Sequence, residues 1–262
     1  MVPRAVETLQ SVSVIACEDT RHSKKLLSHF SIDKPCIAYH DHTDKKSSYS
    51  ILKRLRDGED VALISDAGTP LISDPGYRLV SEARQQGYSV IPIPGASAVI
   101  AALSVSGLPT DKFKFMGFLP AKSTQRKTSL SAVKGNTETM VYYEAPHRIT
   151  DTIADMLDIF GADRPAFMAR EISKTFETYL QGSLAELLDL VRADSNQQRG
   201  EMVLVIGGAA TETETVSVDA EKILGLLLKE LPLTKAASLT AKMTGGDKKQ
   251  LYQLGLAIQN KN

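Results

Sequence analysis

Residues 61–76, VALISDAGTPLISDPG, join a short apolar run to two Ser-Asp-x-Gly turns. An unbroken apolar run such as Val61–Ser65 is the pattern of a strand buried on both faces, as parallel sheets provide. Ligands of open α/β sheets bind beyond the carboxyl ends of the strands. The loop Ser65-Asp66-Ala67-Gly68-Thr69-Pro70 is therefore placed to hold one. Gly68 lets backbone approach closely, and Pro70 stiffens the loop. The carboxylates of Asp66 and Asp74 suit ribose hydroxyls or a cationic group. Ser, Asp and Gly also form turns and cap helices without any ligand. Asp74-Pro75-Gly76 fits either role, whereas the strand-end position of Asp66 favours a ligand.

On either side, strands alternate with helices. Strands are predicted at Ser13–Cys17, Cys36–Tyr39 and Ser89–Ile93. Helices are predicted at Asp19–His29, Ser47–Arg56, Tyr77–Gln86 and Ser97–Ser106. This alternation predicts an α/β fold with a mainly parallel sheet. Ile91–Ala98, IPIPGASA, reads as a buried strand entering a helix. The small residues Ala96, Ser97 and Ala98 expose backbone N–H groups there, and they equally suit close helix–sheet packing. The uncharged stretch 85–110 contains three prolines and three glycines, so it is no continuous membrane helix.

A second alternating series follows. It has strands at Thr139–Tyr143, Pro165–Ala169, Thr178–Leu180 and Glu201–Ile206, and helices at Arg148–Phe160 and Ser183–Arg192. Thr211–Thr215, TETET, reads as a linker, and 219–262 reads as helical. The expected domains are 1–111, 112–210 and a linker plus helical region at 211–262. Formal net charge is zero, so any nucleic-acid contact must come from a local patch. Residues 112–134 hold six cations and no acid, and 219–262 hold seven lysines against four acids. The two cysteines, Cys17 and Cys36, are not spaced as a metal or redox pair. No secretory signal is visible among the scattered charges of the first 30 residues, and a cytoplasmic protein is expected.

The ordered set SDAGTPLISDPGY, PGASA, GLPTDKFKFMGFLPAK, YYEAPHR, REISKTFE and GEMVLVI closely resembles the ribosomal-RNA branch of the tetrapyrrole methylase superfamily. That branch comprises the small-subunit (16S) rRNA cytidine 2′-O-methyltransferases. The likeness runs over essentially the whole chain. It implies two α/β domains, S-adenosyl-L-methionine held in the cleft between them, and a homodimer. It implies donor contacts from Ser65, Asp66, Ala67, Gly68, Thr69 and Pro70, from Ala96, Ser97 and Ala98, and from Tyr143, Glu201, Met202 and Val203. Members of the branch carry a further strand and a Pro-Ile-Gly-Asn loop ahead of the segment matching Pro3–Leu9, where this sequence reads Met1-Val2-Pro3.

Methyl transfer to a ribose hydroxyl asks the protein for alignment and help with one proton. Polar candidates follow the strands, at residues 18–22, at His40-Asp41-His42, and at 144–148 and 170–174. His40-Asp41-His42 lacks a third ligand, and no metal is expected. His22 and His147 suit surface hydrogen bonding as well as base chemistry, and no catalytic base is assigned. Lys122, Arg126, Lys127, His147, Arg148, Arg170 and Lys174 are the expected RNA contacts, since phosphates need fixed cations beside the cleft. The helical region reads equally as a helix-turn-helix-like RNA contact or a structural cap. The expected partner is small-subunit ribosomal RNA, with no membrane. Two other activities remain open: methylation of a tetrapyrrole precursor, and non-catalytic RNA binding.

Overall fold

The computed structural model of the chain describes residues 1–40, 45–210 and 218–259. The chain divides into two compact units, Met1–Gly208 and Ala209–Asn262.

The larger unit begins with α1 (Pro3–Ser11), β1 (Val14–Cys17), α2 (Thr20–His29), β2 (Cys36–Ala38), α3 (Lys45–Arg56), β3 (Val61–Ile64), α4 (Tyr77–Gln85) and α5 (Ala98–Val105). The three strands form a parallel sheet in the order β2-β1-β3. Side chains alternate across it as strand geometry requires. Ile15 packs with Leu9, Val12, Leu27 and Ile32 on one face. Ala16 packs with Tyr39, Ile51, Leu52, Leu79 and Ala83 on the other.

The strand expected at Ser89–Ile93 does not form, and residues 88–97 carry neither helix nor strand. Pro92 and Pro94 offer no N–H to a ladder, and Ile91 is 64% exposed rather than buried.

The unit continues through β4 (Phe113–Phe118), α6 (Ser123–Ser131), β5 (Thr139–Glu144), α7 (Ile149–Phe160), β6 (Pro165–Arg170), β7 (Thr178–Ser183), α8 (Leu184–Ala193) and β8 (Met202–Ile206). These strands form a second sheet in the order β4-β5-β8-β6-β7. Only β4 and β5 run parallel; the other neighbours are antiparallel. Met140, Tyr142, Met168 and Leu204 face a layer that includes Leu130, Ile153, Met156 and Leu187 from α6, α7 and α8. Val141, Phe167, Ala169, Val203 and Val205 face Val99, Ala102 and Leu103 of α5. Burying Val99 and Leu103 contributes roughly 1.5–3 kcal/mol each. The helix leading out of the first half of the sequence is thus held to the second sheet.

The smaller unit consists of α9 (Val218–Leu227), α10 (Leu233–Thr244) and α11 (Lys248–Gln259). Leu224, Ala236, Ala237 and Leu251 form its core. Gly245 closes α10 in the left-handed conformation, and the Asp247 carboxylate accepts from the N–H groups of Lys249 and Gln250 to open α11. This is a helix-turn-helix arrangement. The linker expected at Thr211–Thr215 lies outside the described residues.

Candidate active site

The carboxyl ends of β1 and β3 lie side by side, with Cys17 opposite Ile64. Glu18 and Asp19 leave one strand, and Ser65 and Asp66 leave the other. The Asp19 N–H donates to Asp66 Oδ1 at 3.4 Å, which joins the two loops. Asp19 also caps α2, accepting from the N–H groups of Arg21 and His22, and the Arg21 contact holds its carboxyl below the ordinary range. Ser65 Oγ donates to the Ala67 carbonyl at 3.0 Å and tightens the turn. Glu18, Tyr39, Ser65 and Pro75 line a shallow hollow here, floored by Leu63 and Ile64.

The hollow is electronegative. Burial pushes the Glu18 carboxyl up, the charges of Asp66 and Asp74 push it further, and His40 opposes them. Burial also raises Asp74, against a hydrogen bond from Ser65 that lowers it, and the Asp66 charge adds to the rise. Of the three carboxylates only Glu18 lines the hollow, but Asp66 and Asp74 are near enough to act on its charge, and such a group favours a cation. The 65–76 loop holds two non-glycine residues at positive φ, Leu71 and Ser73, so its shape is imposed by its surroundings rather than by local preference.

The second sheet meets this loop within the same unit. Tyr143, at the end of β5, has its phenol raised by burial and then by the charges of Asp74 and Glu201. It pairs with Val203 at the start of β8 and lies within electrostatic reach of the loop. Met202 and Val203 open β8 and are buried, opposite Glu144 and Tyr143. Glu201 is exposed, and its carboxylate takes the Lys174 ammonium at 3.0 Å. Ala96 and Ala98 are exposed at the start of α5, and Ser97, the N-cap residue, makes no side-chain cap.

The expected RNA contacts divide. Lys122 and His147 are exposed, and neither makes an ion pair with a described residue. Lys127 pairs with Asp158 at 2.9 Å and lies 3.5 Å from Asp155. Lys174 bridges Glu171 and Glu201, and the Glu171 bond leads in raising its ammonium. Arg148 is half-buried against Glu144, whose other oxygen accepts from Thr152 Oγ1 at 2.6 Å.

Arg126 and Arg170 are inside the protein and present no cation to a ligand. Arg126 is 3% exposed, with Nε and Nη2 each 2.7 Å from Asp155 Oδ2. Arg170 is 7% exposed and donates to the Arg199 carbonyl and Thr178 Oγ1. Two of the six cations at 112–134, Arg126 and Lys127, thus find acids on α7, about 30 residues on, that the local sequence does not show. His40 is exposed, and Asp41 and His42 lie outside the described residues. Among the described residues no three His, Cys, Asp or Glu are grouped to hold a metal. No described helix is long and apolar enough to cross a membrane.

Sequence reasoning passed over Phe118. Its ring lies 5.5 Å from that of Tyr143. The available signal was the interleaving of aromatic and basic residues in Lys112–Phe118, KFKFMGF.

Two α/β layers that meet at a strand-end loop rich in carboxylates are the architecture of a ligand-binding α/β protein, and the carboxylates suit a cationic group. Comparison with known proteins makes that class specific. The model of the tetrapyrrole (corrin/porphyrin) methylases matches residues 1–188, and that of the "RsmI C-terminal HTH domain" matches 214–259. A Pseudomonas aeruginosa protein called ribosomal RNA small subunit methyltransferase I is 52% identical over 99% of this chain and 93% of its own length. Its Escherichia coli O157:H7 counterpart is 45% identical over 98% and 90%. The fold is shared with uroporphyrin-III C-methyltransferase from Thermus thermophilus, solved with S-adenosylhomocysteine, at TM-score 0.53, 16% identity and 79% and 90% coverage. The chain belongs to the tetrapyrrole methylase family, and it is an S-adenosylmethionine-dependent methyltransferase.

Proposed function

We propose that the chain methylates the ribose 2′-hydroxyl of a cytidine in small-subunit ribosomal RNA. The observation that carries this is the 52% identity to ribosomal RNA small subunit methyltransferase I, which extends through both units. The donor contacts proposed are Ser65–Pro70, Ala96–Ala98, Tyr143 and Glu201–Val203.

When bound, the donor supplies a methyl group on a positively charged sulfur, which the 2′-oxygen displaces in line. Glu18, Asp66 and Asp74 give the loop region a negative potential that draws a cation and holds a neutral-sulfur product less strongly. The bond between the Asp19 N–H and Asp66 joins the two loops and supports a fixed alignment of the reactants, which lowers the barrier of such a displacement. The proposed phosphate contacts are Lys122 and His147, which face solvent, with Lys127, Arg148 and Lys174 at partly paired positions. The proposed setting is the cytoplasm and the proposed assembly a homodimer. Its support is α5, which is apolar except for Ser104 yet leaves Ile100 and Val105 about half exposed. Light scattering at the mass of one chain would refute the dimer.

The test of function is transfer from methyl-labelled donor to unmethylated small ribosomal subunits. Transfer to RNA supports the reading. Transfer to a porphyrinoid with none to RNA, or donor binding without transfer, contradicts it.

A further inference from the structure

The strand β4 lies at one edge of the second sheet and contains a bulge. Its register against β5 slips between Phe115, opposite Val141, and Gly117, opposite Tyr142. The extra residue changes which way the strand end faces. Phe115 and Phe118 are three apart, so in a regular strand they would point to opposite faces. Here Phe118 sits opposite Tyr143, and both phenylalanines reach the Tyr143 ring, at 5.0 and 5.5 Å. Gly117 adopts φ 65°, which a side chain rarely tolerates, and a Cβ on it would meet Ser73 Oγ at 3.5 Å. The bulge therefore tucks under the second turn of the donor loop and turns Phe118 onto the face where that loop lies.

Phe118 remains 54% exposed in this position. Isolated exposed aromatics are common, but this one is held by a bulge, backed by a tyrosine and set beside the donor loop. Lys122 follows four residues later, exposed and without an ion pair to a described residue. An exposed aromatic face followed four residues on by an uncommitted cation is a pairing suited to an unstacked base and its phosphate.

We propose that Phe118 is a stacking platform for the base of the RNA nucleotide being methylated, with Lys122 on an adjoining phosphate. This rests on the RNA methyltransferase reading and deepens it by naming the residue that positions the acceptor. Its occupant is an unpaired nucleobase, because a base still stacked in a helix offers no free face.

The experiment uses the intact protein, with unmethylated small ribosomal subunits as acceptor and S-adenosylhomocysteine as donor-site probe. Wild-type transfer to subunits is measured first, and its absence would refute the methyltransferase reading itself. Given transfer, Phe118→Ala, Phe118→Leu and Phe118→Trp are compared. Base–aromatic stacking predicts that Ala raises KM for subunits about 10- to 100-fold. Trp should restore KM to near wild type, and Leu, apolar but without a ring face, should not. Affinity for S-adenosylhomocysteine, read by calorimetry, should stay within about twofold in all three. Rescue by Leu equal to that by Trp, an unchanged KM in Ala, or a comparable loss of S-adenosylhomocysteine affinity would each overturn the proposal. The last result would assign Phe118 to the donor instead.

Discussion

Replacing Arg126 with Ala separates two roles that its position in a basic segment confounds. In the structure its guanidinium serves Asp155, with Nε and Nη2 both at 2.7 Å from Oδ2, and it also donates to the carbonyls of Pro120 and Ala121. Removing one partner of a buried ion pair costs about 3–5 kcal/mol, because the other charge stays buried. Two neighbours soften that cost. Ser123 Oγ donates to both Asp155 oxygens at 3.0 and 2.9 Å, and Lys127 Nζ stands 3.5 Å away. The lower end, about 3 kcal/mol, is therefore expected. For a unit of this size each kcal/mol lowers Tm by about 2–4 °C, so the melting temperature should fall by about 6–12 °C. Scanning calorimetry reads the shift. The double change Arg126→Met with Asp155→Leu should recover much of it, since an apolar pair of similar volume often matches a buried ion pair. Below the melting range, KM for small ribosomal subunits should be unchanged in Arg126→Ala. An unshifted Tm together with a severalfold higher KM would refute the structural role and return Arg126 to the RNA.

Three further outcomes follow from the site. Asp66→Ala should weaken donor binding by about tenfold or more, the loss typical of a charge-assisted contact; titration calorimetry showing unchanged affinity would sink the placement of that carboxylate. Donor affinity should rise with pH through and above the ordinary carboxylate range, because Glu18 and Asp74 have raised pKa values and only their ionised forms attract a cation. The same groups make folding less favourable over that interval. Asp74→Asn should therefore melt higher than wild type at pH 7, and the difference should vanish below about pH 3, where the carboxyl is neutral in both states; a flat pH profile for either quantity contradicts the charge assignment. Gly76 has φ 136°, and a Cβ there would lie 2.8 Å from Leu71 Cδ1. Gly76→Ala should cost about 1–3 kcal/mol, visible as a lower melting temperature with the donor loop displaced; a Tm equal to wild type would show that the turn is not strained.

Much of the architecture is legible in the sequence where buried strands leave unbroken apolar runs. Met202–Ile206 is of that kind and is buried throughout, whereas Val61–Ile64 forms a strand where expected but lies at an edge of its sheet and is only half-buried, not covered on both faces. Ser89–Ile93 has the same apolar content but fails, because ladder hydrogen bonds depend on a neighbour and on N–H groups that Pro92 and Pro94 lack. The helix α1 has a signal that was not read: Pro3 at the first turn, then Val6 and Leu9 three apart on one buried face. The 65–76 loop is legible as a strand-end loop, because backbone direction follows from the strand. The partners of long cations are not. Arg126 and Arg170 look alike to Lys122 in sequence, and only the packing of α6 on α7, and of β6 beside β7 and β8, takes them inside. The aim of Phe118 depends on a one-residue bulge, which local composition does not encode.

The most direct test of the account is the chemical identity of the product. Small ribosomal subunits methylated with labelled donor would be digested to nucleosides and resolved by mass spectrometry. The account predicts that the label appears as 2′-O-methylcytidine, resistant to alkali at a single linkage. Label on a base ring, on a ribose other than that of cytidine, or only on a porphyrinoid would contradict it.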